Sequence, residues 1–314
     1  MGKTAWVFPG QGAQTVGMGK DAWTDVEAAK RLYEAADSAV GFELSRIAFE
    51  GPEAELKMTA NTQPALLTTS LAYLHAFKAA GGADARPDYV AGHSLGEWTA
   101  LAAAGALEAS EAARLVHMRG RFMEEAVPGG RGAMAAVLGA ERETLGELCR
   151  AVSAETGLVE LANLNCPGQI VVSGTREGVE ALAARGKEAG AKRVIPLEVS
   201  GPFHSSLMRP ASERLGELLG SAAVGAPSVP LIANVTAEVT GDASEIRGLL
   251  VRQVYSPVLW EDSVMKMIEL GVDTFVEFGP GSVLAGLIKK ISKDVRTISV
   301  NSVEAAREAV PALL

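Results

Sequence analysis

Cysteine is nearly missing: the 314 residues hold two, Cys149 and Cys166. They are too few for a disulfide framework, and with no Cys-x-x-Cys pair and no Cys/His cluster they do not spell a zinc site, so no metal is expected. Long apolar runs are absent as well. No stretch reaches the roughly 18 uninterrupted apolar residues that a membrane-spanning helix needs. The opening, Met1 to Phe8, also lacks the charged-then-apolar pattern of a secretory signal. No membrane association is expected, and a cytoplasmic location follows as the default. Positive charge is in deficit, with 29 Lys and Arg against 38 Asp and Glu and a net charge of -9. Phosphate backbones require clustered cations, so nucleic acid is not expected as a partner. An acidic protein partner would need a local basic patch. Lys289, Lys290 and Lys293, or Lys187, Lys192 and Arg193, could supply one, and each group reads equally well as a solvated helix face.

What is present suits a globular protein: 48% of residues are hydrophobic and 21% charged. Short buried strands are predicted at 4–8 and 89–93, the second running through Ser94 into an Ala-rich helix from Leu95 to about Gly105. Helical patterns cover 21–40, 62–80 and 110–126. Between 131 and 199 the pattern changes to strand (133–138), helix (141–155), strand (158–162), strand (169–174), helix (177–189) and strand (193–199). This βαββαβ order is ferredoxin-like and reads as an inserted subdomain. The larger pattern resumes with strands near 229–235, 274–278 and 297–300, as a mostly parallel α/β sheet requires. The expected division is a catalytic α/β subdomain at 1–130 and 200–314, with the insertion at 131–199.

Gly92-His93-Ser94-Leu95-Gly96 matches the G-x-S-x-G elbow, where flanking glycines let a tight strand-to-helix turn expose a serine. The helix starting at Leu95 would present its positive end and free N–H groups to an oxyanion formed there. A Gly/Ser turn without chemistry is the alternative. A serine needs a base, and only His75, His93, His117 and His204 exist. His75 and His117 fall in helical stretches, and His93, as the last strand residue, should point away from Ser94 because strand side chains alternate. His204 lies in the irregular segment Ser200-Gly201-Pro202-Phe203-His204-Ser205, where loop residues can face a site; it could equally be a satisfied structural histidine. Arg119 sits amid the apolar stripe of its helix (Ala112, Leu115, Val116, Phe122, Met123, Ala126), so it should be partly buried. Its anionic partner is either an internal Asp or Glu or a substrate carboxylate held by the guanidinium fork.

Taken in order, these segments resemble the malonyl-CoA:acyl carrier protein transacylases of bacterial fatty acid synthesis. The likeness runs through Phe8-Pro9-Gly10-Gln11-Gly12, Thr62-Gln63-Pro64-Ala65, Gly92-His93-Ser94-Leu95-Gly96-Glu97 and Met118-Arg119-Gly120. It continues through Asn163-Leu164-Asn165-Cys166-Pro167-Gly168-Gln169, Gly201-Pro202-Phe203-His204-Ser205, Gln253-Val254-Tyr255-Ser256-Pro257-Val258 and Phe278-Gly279-Pro280-Gly281. The resemblance implies an α/β-hydrolase-like core with an inserted ferredoxin-like subdomain. It implies Ser94 as the acylated nucleophile, His204 as the base and Arg119 as the clamp on the malonyl carboxylate. Backbone N–H groups of Gln11 and Leu95 would form the oxyanion hole, and a carbonyl oxygen of Gln253 would orient the histidine in place of a triad carboxylate. Asn165 would line the site, and Phe203 would lie beside the acyl chain. Malonyl-CoA and acyl carrier protein are the implied partners, with no bound cofactor. Free-standing polyketide acyltransferases share the fold and motifs; a thioester hydrolase and a silent carrier-binding module are more distant alternatives.

Overall fold

The structure, a computed structural model, describes residues 2–314. Ten strands form two sheets. β1 (Lys3–Phe8), β2 (Tyr89–Gly92), β7 (Leu231–Ile232), β8 (Val239–Thr240), β9 (Val272–Phe278) and β10 (Arg296–Val300) make the larger, in the order β10-β9-β1-β2-β7-β8. All its pairings are parallel except β7 with β8. β1 shows why the sheet is central: Ala5, Trp6, Val7 and Phe8 are all buried, although successive residues face opposite sides. A strand apolar on both faces needs cover on both, which the crossover helices provide.

β3 (Gly132–Leu138), β4 (Val159–Cys166), β5 (Gln169–Thr175) and β6 (Arg193–Pro196) form an antiparallel sheet in the order β4-β5-β3-β6, the ferredoxin-like arrangement. One face packs helices Arg142–Glu155 and Arg176–Arg185 around Val137, Leu145, Val152, Val172 and Leu182. From the other face Met134, Ala162 and Val171 join the core of the larger body.

Several predicted elements shift. β4 runs four residues past its predicted end, to Cys166, with register shifts between Leu161 and Asn163 and between Leu164 and Cys166. Such irregularities re-aim side chains. Here the strand also bonds outside its own sheet: Leu164 N–H donates to the Val258 carbonyl, and Val258 N–H to that of Ala162, both at 2.9 Å. β6 stops at Pro196 instead of 199, at an edge where a missing N–H is tolerated. The strand predicted at 229–235 is only two residues long, and the hairpin to β8 after it was not predicted. The 21–40 helix is broken at Val26, whose backbone is extended. Helix Thr59–Ala79 begins before 62 and contains Pro64. A proline gives no N–H to the carbonyl four residues back; that carbonyl, Ala60, instead accepts from His117 Nδ1 at 2.9 Å.

No helix among the described residues is long and apolar enough to cross a membrane. Nor, among them, do three or more His, Cys, Asp or Glu side chains gather where they could hold a metal ion.

Candidate active site

β2 ends at Gly92 and helix Leu95–Ala103 starts with only His93 and Ser94 between them, so the chain must reverse sharply at Ser94. Ser94 adopts φ 52° and ψ -105°, a conformation costly for a residue with a Cβ. The flanking glycines make the turn fit. A Cβ at Gly96 would collide with the Phe8 carbonyl, and one at Gly92 with the Gly96 backbone. Side chains brace the serine on both sides: its N–H donates to Asn234 Oδ1 at 2.7 Å, and its carbonyl accepts from Gln253 Nε2 at 3.0 Å. As the first helical residue, Leu95 carries an N–H with no acceptor inside its helix.

His204 comes from the loop after β6. Its Nε2 lies 2.8 Å from Ser94 Oγ, and its Nδ1 lies 2.9 Å from the backbone oxygen of Gln253. A carbonyl can only accept, so Nδ1 carries the proton and Nε2 turns its lone pair to the serine. Burial, seconded by the Arg119 charge, lowers the imidazole pKa to about 3. His204 is therefore an unprotonated base at neutral pH.

Arg119 is 1% exposed. Nη1 donates to Gln63 Oε1 at 2.7 Å; Nη2 donates to Gln253 Oε1 at 2.9 Å and to Ser94 Oγ at 3.2 Å. Nε is buried with no partner. All of these acceptors are uncharged, so the internal ion pair left open by the sequence is not what holds this arginine. Burial lowers its pKa to about 10 against the opposing pull of Glu97, and it stays a cation at neutral pH. A buried cation satisfied only by neutral oxygens retains a strong affinity for an anion.

Gln63, Arg119, Ser94, His204, Met123 and Phe203 line a cavity of about 110 Å³, with Gln11 and Leu95 also on its wall. A second cavity of about 380 Å³ shares Gln11, His93, Asn163, Leu197 and Val199 with it and extends to Asn165, Gln169 and Leu284. Phe203 is 6% exposed, so its side chain is packed while also lining the inner cavity. Asn165 lines the outer cavity rather than the inner one, where Asn163 stands. Asn165 Oδ1 lies 2.8 Å from His93 Nε2, so that ring nitrogen is engaged by the amide, and His93 borders both cavities. His75 and His117 lie in helices. Lys290 donates to Gln169 Oε1 at 3.2 Å, while Lys289 is tied to the Val295 carbonyl.

Gln63, Glu97 and Asn234 were given no role from sequence. A signal existed for two of them. Gln63 is a polar residue in a helix buried almost all round, and Glu97 is a charge in an Ala-rich run; both are at most 1% exposed.

The acyl transferase domain family model matches residues 5–308. The malonyl CoA-acyl carrier protein transacylase of Bacillus subtilis (strain 168) is 52% identical over 313 residues, covering 100% of this chain and 98% of that protein. An acyl-carrier-protein S-malonyltransferase structure from Burkholderia pseudomallei 1710b superposes with a TM-score of 0.94 at 44% identity, over 98% of this chain and 99% of that one. A malonyl-transacylase solved in complex with its type II PKS acyl-carrier protein superposes with a TM-score of 0.94 at 39% identity, over 99% of each chain.

Proposed function

The chain belongs to the acyl transferase family, and from that membership we propose that it moves malonyl from malonyl-CoA to the phosphopantetheine thiol of acyl carrier protein. Extender units for fatty acid synthesis are the product. One observation supports the residue roles most directly: a single oxygen, Ser94 Oγ, meets both His204 Nε2 and Arg119 Nη2.

In the first half-reaction Ser94 Oγ attacks the thioester carbonyl while its proton passes to His204 Nε2. The oxyanion is received by the N–H groups of Leu95 and Gln11, and Arg119 holds the distal carboxylate. The C–S bond then breaks, and the CoA sulfur leaves with the proton from His204. In the second half the carrier thiol gives its proton to His204 and attacks the malonyl-serine ester, and Ser94 Oγ recovers a proton as it departs. Protons and electron pairs balance among serine, histidine and the two thiols, so no bound cofactor is needed and malonyl-CoA is purely a substrate. The histidine partner is a neutral carbonyl, which stabilises imidazolium less than a carboxylate would. The inner cavity admits an acyl group while the buried site limits water, which favours transfer over hydrolysis.

The test is covalent. Incubation with malonyl-, methylmalonyl- and acetyl-CoA separately, followed by intact mass, should show a malonyl adduct that is lost in Ser94→Ala and chased off by phosphopantetheinylated carrier protein. An adduct of unchanged yield in Ser94→Ala would remove the serine from this role.

A further inference from the structure

Glu97 takes no part in the chemistry above, yet it is fully buried in helix Leu95–Ala103, beside the nucleophile. Its Oε2 accepts from the Asn234 N–H at 3.0 Å and from Gln253 Nε2 at 2.9 Å; its Oε1 has no partner. These two donors belong to the residues that brace Ser94. Asn234 Oδ1 takes the serine N–H, and Gln253 Nε2 donates to the serine carbonyl. Gln253 also accepts from Arg119 through Oε1 and from His204 through its backbone oxygen. One carboxylate oxygen thus stands behind the nucleophile, the base and the cation together.

An amide side chain has a donor end and an acceptor end of nearly the same shape. Arg119 offers only N–H groups and therefore demands the oxygen of Gln253. Glu97 offers lone pairs and demands the NH₂. Without Glu97 the NH₂ keeps only the Ser94 carbonyl and, at 3.3 Å, Asn234 Oδ1 as acceptors, and any turn of the amide would set its NH₂ against the Arg119 N–H groups.

Resting on the transacylase reading, we propose that Glu97 is a positioning residue. Its Oε2 fixes the Gln253 amide and the Asn234 backbone, and through them it aims Arg119 at the acyl carboxylate and steadies Ser94 against His204.

Three variants separate reach from charge. Glu97→Gln keeps an oxygen at the same reach without the charge, Glu97→Asp keeps the charge but withdraws the oxygen by one methylene, and Glu97→Ala removes both. Rates of malonyl and acetyl adduct formation are measured by intact mass alongside Tm. Glu97→Gln should keep the malonyl-to-acetyl ratio within about threefold of wild type, whereas Glu97→Asp and Glu97→Ala should lower it about tenfold or more, as loss of an aimed charge-assisted contact does. A merely structural role would lower Tm and both rates without moving the ratio. A folded Glu97→Asp with the wild-type ratio therefore overturns the inference, as does a Glu97→Gln that unfolds or loses the ratio. If Asp and Ala both fail to fold, Glu97→Gln decides alone: ratio retained supports the acceptor role, ratio lost refutes it. Failure of the wild type itself to form a malonyl-serine adduct would instead sink the transacylase reading.

Discussion

Arg119 donates to Ser94 Oγ at 3.2 Å, so the cation assigned to the far end of the acyl group already touches the atom assigned to its near end. The same cation discourages protonation of His204, the second cause after burial of that imidazole's low pKa. A bound carboxylate would meet a guanidinium already aimed by Gln63 and Gln253.

Arg119→Ala should therefore cut malonyl loading by on the order of 10²-fold or more while sparing acetyl, since a bidentate charge-assisted contact is lost only for the acid. Adduct formation with the two thioesters measures it. Equal losses for both would mark Arg119 as structural.

His204→Ala should slow transfer by about 10²–10⁴-fold in a folded protein. His117→Ala makes the contrast: it strips the donor from the Ala60 carbonyl left open by Pro64, at a cost of about 1–3 kcal/mol, and leaves the rate per folded molecule unchanged. Urea titration and single-turnover loading on both variants check the pair. A reversed pattern would mean that the base is misassigned.

Stability against pH should reveal two buried groups displaced in opposite senses. The His204 pKa falls from 6.5 to about 3 on folding, so the unfolded chain binds the extra proton and stability is lost as pH drops through that window. The Glu97 pKa rises from 4.5 to about 7, chiefly by burial, so the folded chain binds the extra proton and stability is lost as pH rises through that window. Between 4.5 and 6.5 the two slopes oppose each other. Glu97→Gln deletes one of them, and relative to wild type it should lose roughly 1 kcal/mol of stability per pH unit on acidification across this range. Denaturant midpoints at three pH values suffice. A pH-independent difference would show that Glu97 does not titrate there.

Phe203→Ser should raise methylmalonyl loading relative to malonyl, by no more than roughly 10–200-fold, because one methyl group is worth only about 1–3 kcal/mol in a pocket. The ring is also packed, so a loss approaching about 3–5 kcal/mol of stability should accompany the change. The ratio of kcat/KM values and the melting temperature report the two effects separately. An unchanged ratio in a folded variant would remove Phe203 from acyl selection.

The sequence by itself determined the elements that local chemistry controls. Glycines on either side of Ser94, a buried strand before it and an Ala-rich helix after it leave one economical backbone path, and the elbow forms there. The βαββαβ order was legible because its strands and helices have distinct periods. Arg119 stood out because a charge in an apolar stripe needs an explanation. Tertiary structure alone decided what that charge meets: Gln63, Ser94 and Gln253 lie 56, 25 and 134 residues away along the chain, and no local pattern selects among such partners. It likewise extended β4 past Ala162, since the bonds between Leu164, Ala162 and Val258 join segments that sequence reading treats apart. Glu97 showed in the sequence only as a charge in an Ala-rich run, and the partners that make it a hub were hidden for the same reason. Burial makes its hydrogen bonds matter, and burial is a property of the packed whole: Asn234 and Gln253 lie 137 and 156 residues away along the chain and meet Glu97 only in the folded protein.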